Sequence, residues 1–512
     1  MADLSRVCTI TGKVFVITEA EQALIAKFEQ LHPLLRPGDI PLPTIHPLEF
    51  SKQLQSYVTL MSLFDSKSVL SGEPLITRYN PQLGYKVCTS EEFWSDAVDN
   101  TNVGKSYDFS RPFFEQWNEL MHAVIMQPLV QIGCENSRYV DSSSSLKNCY
   151  LCFGMGDSED CLYCLKTRYP LRNRDCVDCI GIVDCELCYS CIHCDHAYDC
   201  QHCSDCIDCY QCFGSRDLIG CKYCFGCVGL RQAEYAIFNQ AVSKEAYENF
   251  IKQANLGSYQ SRQEYLEQCH QFQKQHSTVV VTIKQSENAS GRYLQHCHNV
   301  YECEFGENLE DCGWATGAFG KDIWRGEVYQ GELGYQSAVL SGRLGFCNSI
   351  NTGSENFYSY MIWGSNCCFG CVMLKQKSYC ILNKQYTKAE YEELVPRIIA
   401  HMKSTGEWGQ FLPGKYAPHA YEESQAHQFL DQRSKCKDQR SNGQSEDKSE
   451  HSWEDNSAII DVETVVGTVF QCSLTGKPFK LIRQEVEFYL RHSIPMPRVC
   501  WQERLKELLT HM

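Results

Sequence analysis

The chain has 512 residues, of which 43% are hydrophobic and 12% aromatic, and it carries a formal net charge of -16. That length exceeds a single core and calls for three or more structural units. The acidic balance, with no basic stripe, argues against a phosphate-binding surface, so nucleic acid is not expected as a partner.

The N-terminus, "MADLSRVCTI", lacks a charged start followed by an apolar core, and no apolar run reaches transmembrane length. A cytoplasmic protein is therefore expected, in which the 33 cysteines would be kept reduced or held by metal. Residues 1–50 contain "CTITGKVFVITEAE" from Cys8, which matches "CSLTGKPFKLIRQE" from Cys472; each is followed by a Pro-x-Pro segment, "PLPTIH" and "PMPRVC". Zinc ribbons carry Cys-x-x-Cys at both ends. Here the knuckles read Cys8-x-x-Thr11 with His46-x-x-Glu49, and Cys472-x-x-Thr475 with Cys500-x-x-Glu503. Both ends, 1–50 and 457–512, thus read as degenerate zinc-ribbon-like units that keep a shape without the metal. Residues 51–133 read as a mixed region, helical around "SEEFWSDAVD" and "RPFFEQWNELMHAV".

The middle reads as one module used twice, at 134–285 and 286–423. "CFGCVGLRQAEYAIFNQAVSKEAYENF" from Cys224 aligns without a gap with "CFGCVMLKQKSYCILNKQYTKAEYEEL" from Cys368. Each module ends in a predicted helix, with capping-box patterns at Ser261/Glu264 and Thr387/Glu390. Residues 424–456 are charged and nearly free of aliphatic side chains, the composition of a disordered linker.

Between Cys149 and Cys227 there are 27 positions at steps of three; 18 are cysteine, and no cysteine falls in another frame. The rest of that frame includes Met155, Ser158, Asn173, Ile182, Ala197, Ser215 and Leu218. A 3₁₀ helix does not persist at this length, and a polyproline II bundle calls for glycine. A narrow β-solenoid turns every third residue into a tight bore, and small side chains suit it. The expected fold is mixed β-solenoid plus α: two narrow Cys-lined modules capped by helices, with small ribbon-like terminal units. The "[DN]C" steps at Asn148, Asp160, Asp175, Asp184 and Asp199 predict coils of 12–15 residues, their acids serving turns rather than ions. In the second module Cys297, Cys303 and Cys312 share one frame, and Cys347, Cys368 and Cys371 another. An indel or broken coil is expected within "WATGAFGKDIWRGEVYQGELGYQS".

Three readings of the thiols stand side by side. They are an inert wall of small apolar side chains, disulfide rivets, which need an oxidising compartment, or metal ligands. The candidate ligands are the Cys-x-x-Cys pairs Cys149/Cys152, Cys161/Cys164, Cys176/Cys179, Cys185/Cys188, Cys191/Cys194, Cys200/Cys203, Cys206/Cys209 and Cys221/Cys224. This spacing suits zinc before iron–sulfur clusters. His193, His196 and His202 fall in the outer frames and read as surface residues. No phosphate-binding loop, Gly-x-Ser-x-Gly or His-Glu-x-x-His motif is present. The expected function is a non-enzymatic scaffold or interaction protein with a protein partner, structural zinc being available to the first module. The alternative is a metal-storage or thiol-redox protein using residues 149–227; the loss of thiols from the second module favours the scaffold.

The stretches "EEFWSDAVDNTNVGKSYDFSRPFFEQWNEL", "NCYLCFG", "FGCVMLKQKSYCILNKQYTKAEYEELVPRIIAHMKSTGEWGQFLP" and "TGKPFKLIRQEVEFYLRHSIPMPR" resemble an uncharacterised family of cysteine-rich bacterial proteins of candidate-phylum type with zinc-ribbon-like termini. The resemblance implies ribbon ancestry for the ends and intracellular expression, and it carries no activity.

Overall fold

The computed structural model describes residues 2–59, 61–165, 173–177, 186–189, 197–276, 283–328, 330–339, 342–431 and 461–510. The chain forms two compact units, each built from two separate segments. One comprises residues 1–130 and 280–431, the other residues 131–279 and 432–512. Helices and many short strands are mixed. The largest sheet among the described residues has 15 strands, from Ile283–Lys284 to Lys384–Gln385 in the first unit.

Nearly all of the strand pairing in the Cys-rich regions is parallel and joins residues about one dozen apart. In the second unit Gln131 pairs with Ser143, Tyr150 with Leu162, Tyr210 with Lys222 and Lys222 with Glu234. One step is longer by three residues, Glu159 pairing with Arg174 and Leu162 with Val177. In the first unit Val300 pairs with Cys312, Leu344 with Asn356 and Cys368 with Cys380. Between them the steps shorten: Gly313 pairs with Trp324, Ile323 with Gly334 and Gly334 with Leu344. These steps move the buried frame by one position, from that of Cys312 to that of Cys347. The shortened steps are the indel that the change of frame called for, and the pairing runs through them without a broken coil. Glycine permits the tightening: a Cβ on Gly317, at φ +119°, would lie 1.7 Å from the Val328 carbonyl oxygen.

The period of three has a backbone cause. The residue before each inward position is left-handed in much of both tracts, as at Asn148, Asp160, Asp175, Asp199, Asp205 and Asp208, with φ of 49–55°. A left-handed non-glycine residue costs about 1–2 kcal/mol, and Asn and Asp tolerate it best. The aspartates ahead of the cysteines are thus corner residues. Inter-strand hydrogen bonds offset the cost: Glu135 N–H donates to Leu146 O at 2.8 Å, and Asn148 N–H returns to Glu135 O at 3.1 Å.

Each ladder ends in an antiparallel hairpin, Glu234–Ile237 with Gln240–Ala241 and Ser378–Ile381 with Lys384–Gln385. Asn239 locks the first, accepting Val228 N–H at 2.8 Å and donating to Val228 O at 2.9 Å; Asn383 repeats both bonds on Val372 at 2.8 Å. Helices follow. Lys388–Ser404 starts with the expected Thr387/Glu390 capping box. The helix Tyr259–Gln275, by contrast, is capped by Ser258, so Ser261 and Glu264 lie inside it. It and the helix Lys244–Ala254 pack on the outer aromatics Phe213 and Phe225. In the first unit Tyr358, Phe369 and Trp408 are buried with Phe113 and Trp117 of the helix Phe113–Ala123, which together with Ser90–Trp94 falls where the sequence places helices. Among the described residues no helix is long and apolar enough to cross a membrane.

Candidate functional site: the buried thiols and the knuckles

Of the cysteines singled out from the sequence, Cys149, Cys152, Cys161, Cys164, Cys176, Cys200, Cys203, Cys206, Cys209, Cys221 and Cys224 are buried. With Cys212 and Cys227 they pack into one core together with Val140, Leu146, Met155, Ala197 and Leu218. Cys179, Cys185, Cys191 and Cys194 lie outside the described residues, as do His193 and His196, and only the backbone of Cys188 is described. His202 is half-buried, edge-on to Phe213 at 5.8 Å, rather than on the surface. The cysteines whose side chains are described stand outside any disulfide.

The inward thiols make a repeated pair of contacts. Each donates to the carbonyl two residues before it: Cys149 to Lys147 O at 3.4 Å, Cys152 to Tyr150 O at 3.5 Å, Cys209 to Ile207 O at 3.2 Å and Cys347 to Gly345 O at 3.3 Å. Many also reach a carbonyl nine residues on, as Cys152 does at Cys161 O, 3.2 Å. Inward serines do the same: Ser158 donates to Gly156 O at 2.6 Å and Ser215 to Phe213 O at 3.0 Å. Inward serines, and Cys227 and Cys347 among the thiols, also accept from the amide about twelve residues later. Ser215 Oγ takes Cys227 N–H at 3.0 Å, Ser359 Oγ takes Cys371 N–H at 3.2 Å, and Cys347 Sγ takes Ser359 N–H at 3.5 Å. Thiol and hydroxyl are interchangeable here because each supplies one donor and one acceptor. A sulfur that faces carbonyl oxygens as a donor is a protonated thiol. Burial pushes the thiols of Cys303 and Cys347 up to about 12 and that of Cys152 well above its usual range, whereas hydrogen bonds from neighbouring thiols draw Cys149 down to about 4 and Cys200 to about 5; the carbonyl contacts, common to both sets, are those of a donor. Among the described residues no group of three or more His, Cys, Asp or Glu side chains is gathered to hold a metal ion.

Among the described residues the knuckle unit occurs three times, once more than the sequence reading found. Leu4–Val7 pairs with Val14–Ile17, Phe64–Lys67 with Pro74–Thr77 and Phe470–Gln471 with Pro478–Phe479, all in the same register. The turns also match: Cys8 N–H donates to Lys13 O at 2.8 Å, Ser68 N–H to Glu73 O at 2.8 Å and Cys472 N–H to Lys477 O at 2.9 Å. In the middle copy the four ribbon positions are Ser68, Ser71, Thr89 and Glu92. Ser68 Oγ and Thr89 N–H donate to Glu92 Oε2 at 2.5 and 2.8 Å, so a carboxylate closes the cluster. The signal was "SVLSG" beside "CTITG", hidden because no cysteine remained. The Ser68 and Ser71 hydroxyls and the Thr89 amide hold the Glu92 carboxyl down at about 2. At Cys8 burial pushes the thiol up, but the Thr11 hydroxyl and the amides of His46, Thr11 and Ile10 outweigh it and bring it to about 7.

Each terminal unit inserts a fully buried glutamate onto a corner of its tract. In the first unit Arg325, left-handed at φ 56°, donates from Nε to Glu21 Oε1 at 2.5 Å and from Nη1 to Ile45 O at 2.9 Å. Burial pushes the Glu21 carboxyl above its ordinary range, against the pull of the Arg325 guanidinium. In the second unit the aligned Glu485 accepts from the Tyr163 hydroxyl at 2.5 Å and from Arg504 Nη2 at 2.9 Å. Neither carboxylate was singled out from the sequence; only the alignment of "TEAEQ" with "IRQEV" could have marked them.

Comparison with protein-family models finds no match, and comparison with curated proteins finds none.

Two outcomes are expected. Cys347→Ser changes unfolding free energy by less than ~1 kcal/mol, whereas Cys347→Val orphans the Ser359 amide and costs about 1–3 kcal/mol, read by denaturant unfolding. Because the Glu92 carboxyl titrates lower folded than unfolded, its contribution is complete above the ordinary carboxylate value of 4.5 and is lost as pH falls toward about 2. Glu92→Gln removes that part of the acid dependence, measured as unfolding midpoint against pH.

Proposed function

We propose that the two Cys-rich tracts are narrow β-solenoids and that the chain is a non-enzymatic scaffold or interaction protein built on them. The parallel pairing at steps of about twelve, with every third residue inward and a left-handed corner before it, supports the solenoid reading. The scaffold reading rests on one observation: at inward positions cysteine and serine donate to the same backbone carbonyl, and Cys347 accepts the amide one step on just as Ser359 does. A side chain that serine replaces bond for bond is there to satisfy the bore, not to perform thiol chemistry. The described part of the tract needs neither zinc nor an iron–sulfur cluster under this reading, and neutral thiols fit a reducing, cytoplasmic setting. A net charge of -16 favours a protein partner over nucleic acid.

Elemental analysis of anaerobically purified full chain, with thiol titration before and after unfolding, tests the proposal. Less than one metal per chain is expected, with few thiols reactive when folded and nearly all 33 reactive in denaturant. Several metals per chain, released together with thiols, would contradict it and favour the storage reading.

A further inference from the structure

Only one of the three knuckle units carries a thiol on both of its knuckles. The partner of Cys8 is His46 and that of Ser68 is Thr89, but Cys472 faces Cys500. Cys500 N–H donates to Cys472 Sγ at 3.4 Å, and the Cys500 thiol is itself within hydrogen-bonding reach of that sulfur. Both side chains are buried, yet the turn over Cys472, residues 473–477, is exposed throughout, so one turn of chain separates this sulfur from solvent. The inward tract thiols differ, because they point at backbone carbonyls as donors.

We propose that Cys472 and Cys500 are a dithiol modification site that closes to a disulfide by exchange with a small disulfide of the oxidised-glutathione class. The Cys472 thiolate attacks one sulfur of the small disulfide, a mixed disulfide forms and one small thiolate leaves. Cys500 gives its proton to solvent and attacks the Cys472 sulfur; the Cys472–Cys500 bond forms and the second small thiolate leaves. Two protein thiols are oxidised, and one small disulfide is reduced to two thiols. The Cys472 environment suits the attacking role. Burial raises its thiol, but the Thr475 hydroxyl and the amides of Cys500, Thr475 and Leu474 bring it down to about 7, while burial keeps Cys500 above its usual value.

The test exposes the reduced full chain to oxidised glutathione at neutral pH, quenches with acid, alkylates, digests with trypsin and reads the peptides by mass. The peptides holding Cys472, Cys500 and Cys8 each contain no other cysteine. The expected result is a linked Cys472–Cys500 peptide pair as the main form, while Cys8 carries glutathione without a cross-link. In Cys500→Ser, glutathione stays on Cys472; in Cys472→Ser, Cys500 is alkylated. The proposal is overturned if both cysteines of the wild-type chain are alkylated while the half-buried Cys134 has taken up glutathione. It is equally overturned if the wild-type chain keeps glutathione on Cys472 without closing. The wild-type digest alone decides, so a variant that fails to fold does not disable the test.

Discussion

An amide that points inward at every third residue is the constraint on which the tracts depend. The left-handed corner directs one N–H per step at the interior, where water cannot reach it and where an unpaired amide costs about 1–3 kcal/mol. Where an inward serine stands twelve residues earlier it answers the amide, as Ser137 Oγ does for Cys149 N–H at 3.0 Å and Ser143 Oγ for Met155 N–H at 3.2 Å. Side chains that answer it are small and accept, while Val140, Leu146 and Leu218 fill the same frame without answering it. Cysteine, serine and asparagine meet those terms; Asn356 Oδ1 takes Cys368 N–H at 2.9 Å.

The terminal units depend on the same geometry. A left-handed corner also throws its own side chain outward, where another element can seize it. Arg325 and Tyr163 are such corners, and the aligned glutamates Glu21 and Glu485 take hold of them. Breaking a buried pair of the Arg325–Glu21 kind leaves a charge stranded and costs about 3–5 kcal/mol. The terminal hairpins lead into a helix that carries the buried glutamate, Glu19–Leu31 at one end and Arg483–Arg491 at the other.

The frame of the tract was legible in the sequence because the backbone repeats its direction every three residues and small side chains mark it. The coil length was less so. The one longer step at Glu159–Arg174 and the shortened steps between Cys312 and Leu344 break the spacing without breaking the pairing. The acids before the cysteines were read as turn formers, and their positive φ values agree. The Ser68–Glu92 knuckle was illegible because polar substitution erased the pattern while hydrogen bonds kept the shape. Nothing in the sequence marked Glu21 and Glu485 as buried; only the partner across the fold distinguishes a buried acid from an exposed one. The Cys472–Cys500 pair was visible as two knuckle positions, but its one-sided electrostatics come from the Thr475 hydroxyl and the surrounding amides.

The central claim is that the inward sulfurs are protonated thiols donating to backbone carbonyls, and the S–H stretching band in the Raman spectrum of the folded chain reads this directly. The account predicts a strong S–H band, shifted to lower frequency than in the unfolded chain and lost on exchange into D₂O only slowly while the protein stays folded. A weak or missing S–H band in the folded chain, restored on unfolding in acid, would show thiolates or bound metal instead and contradict it.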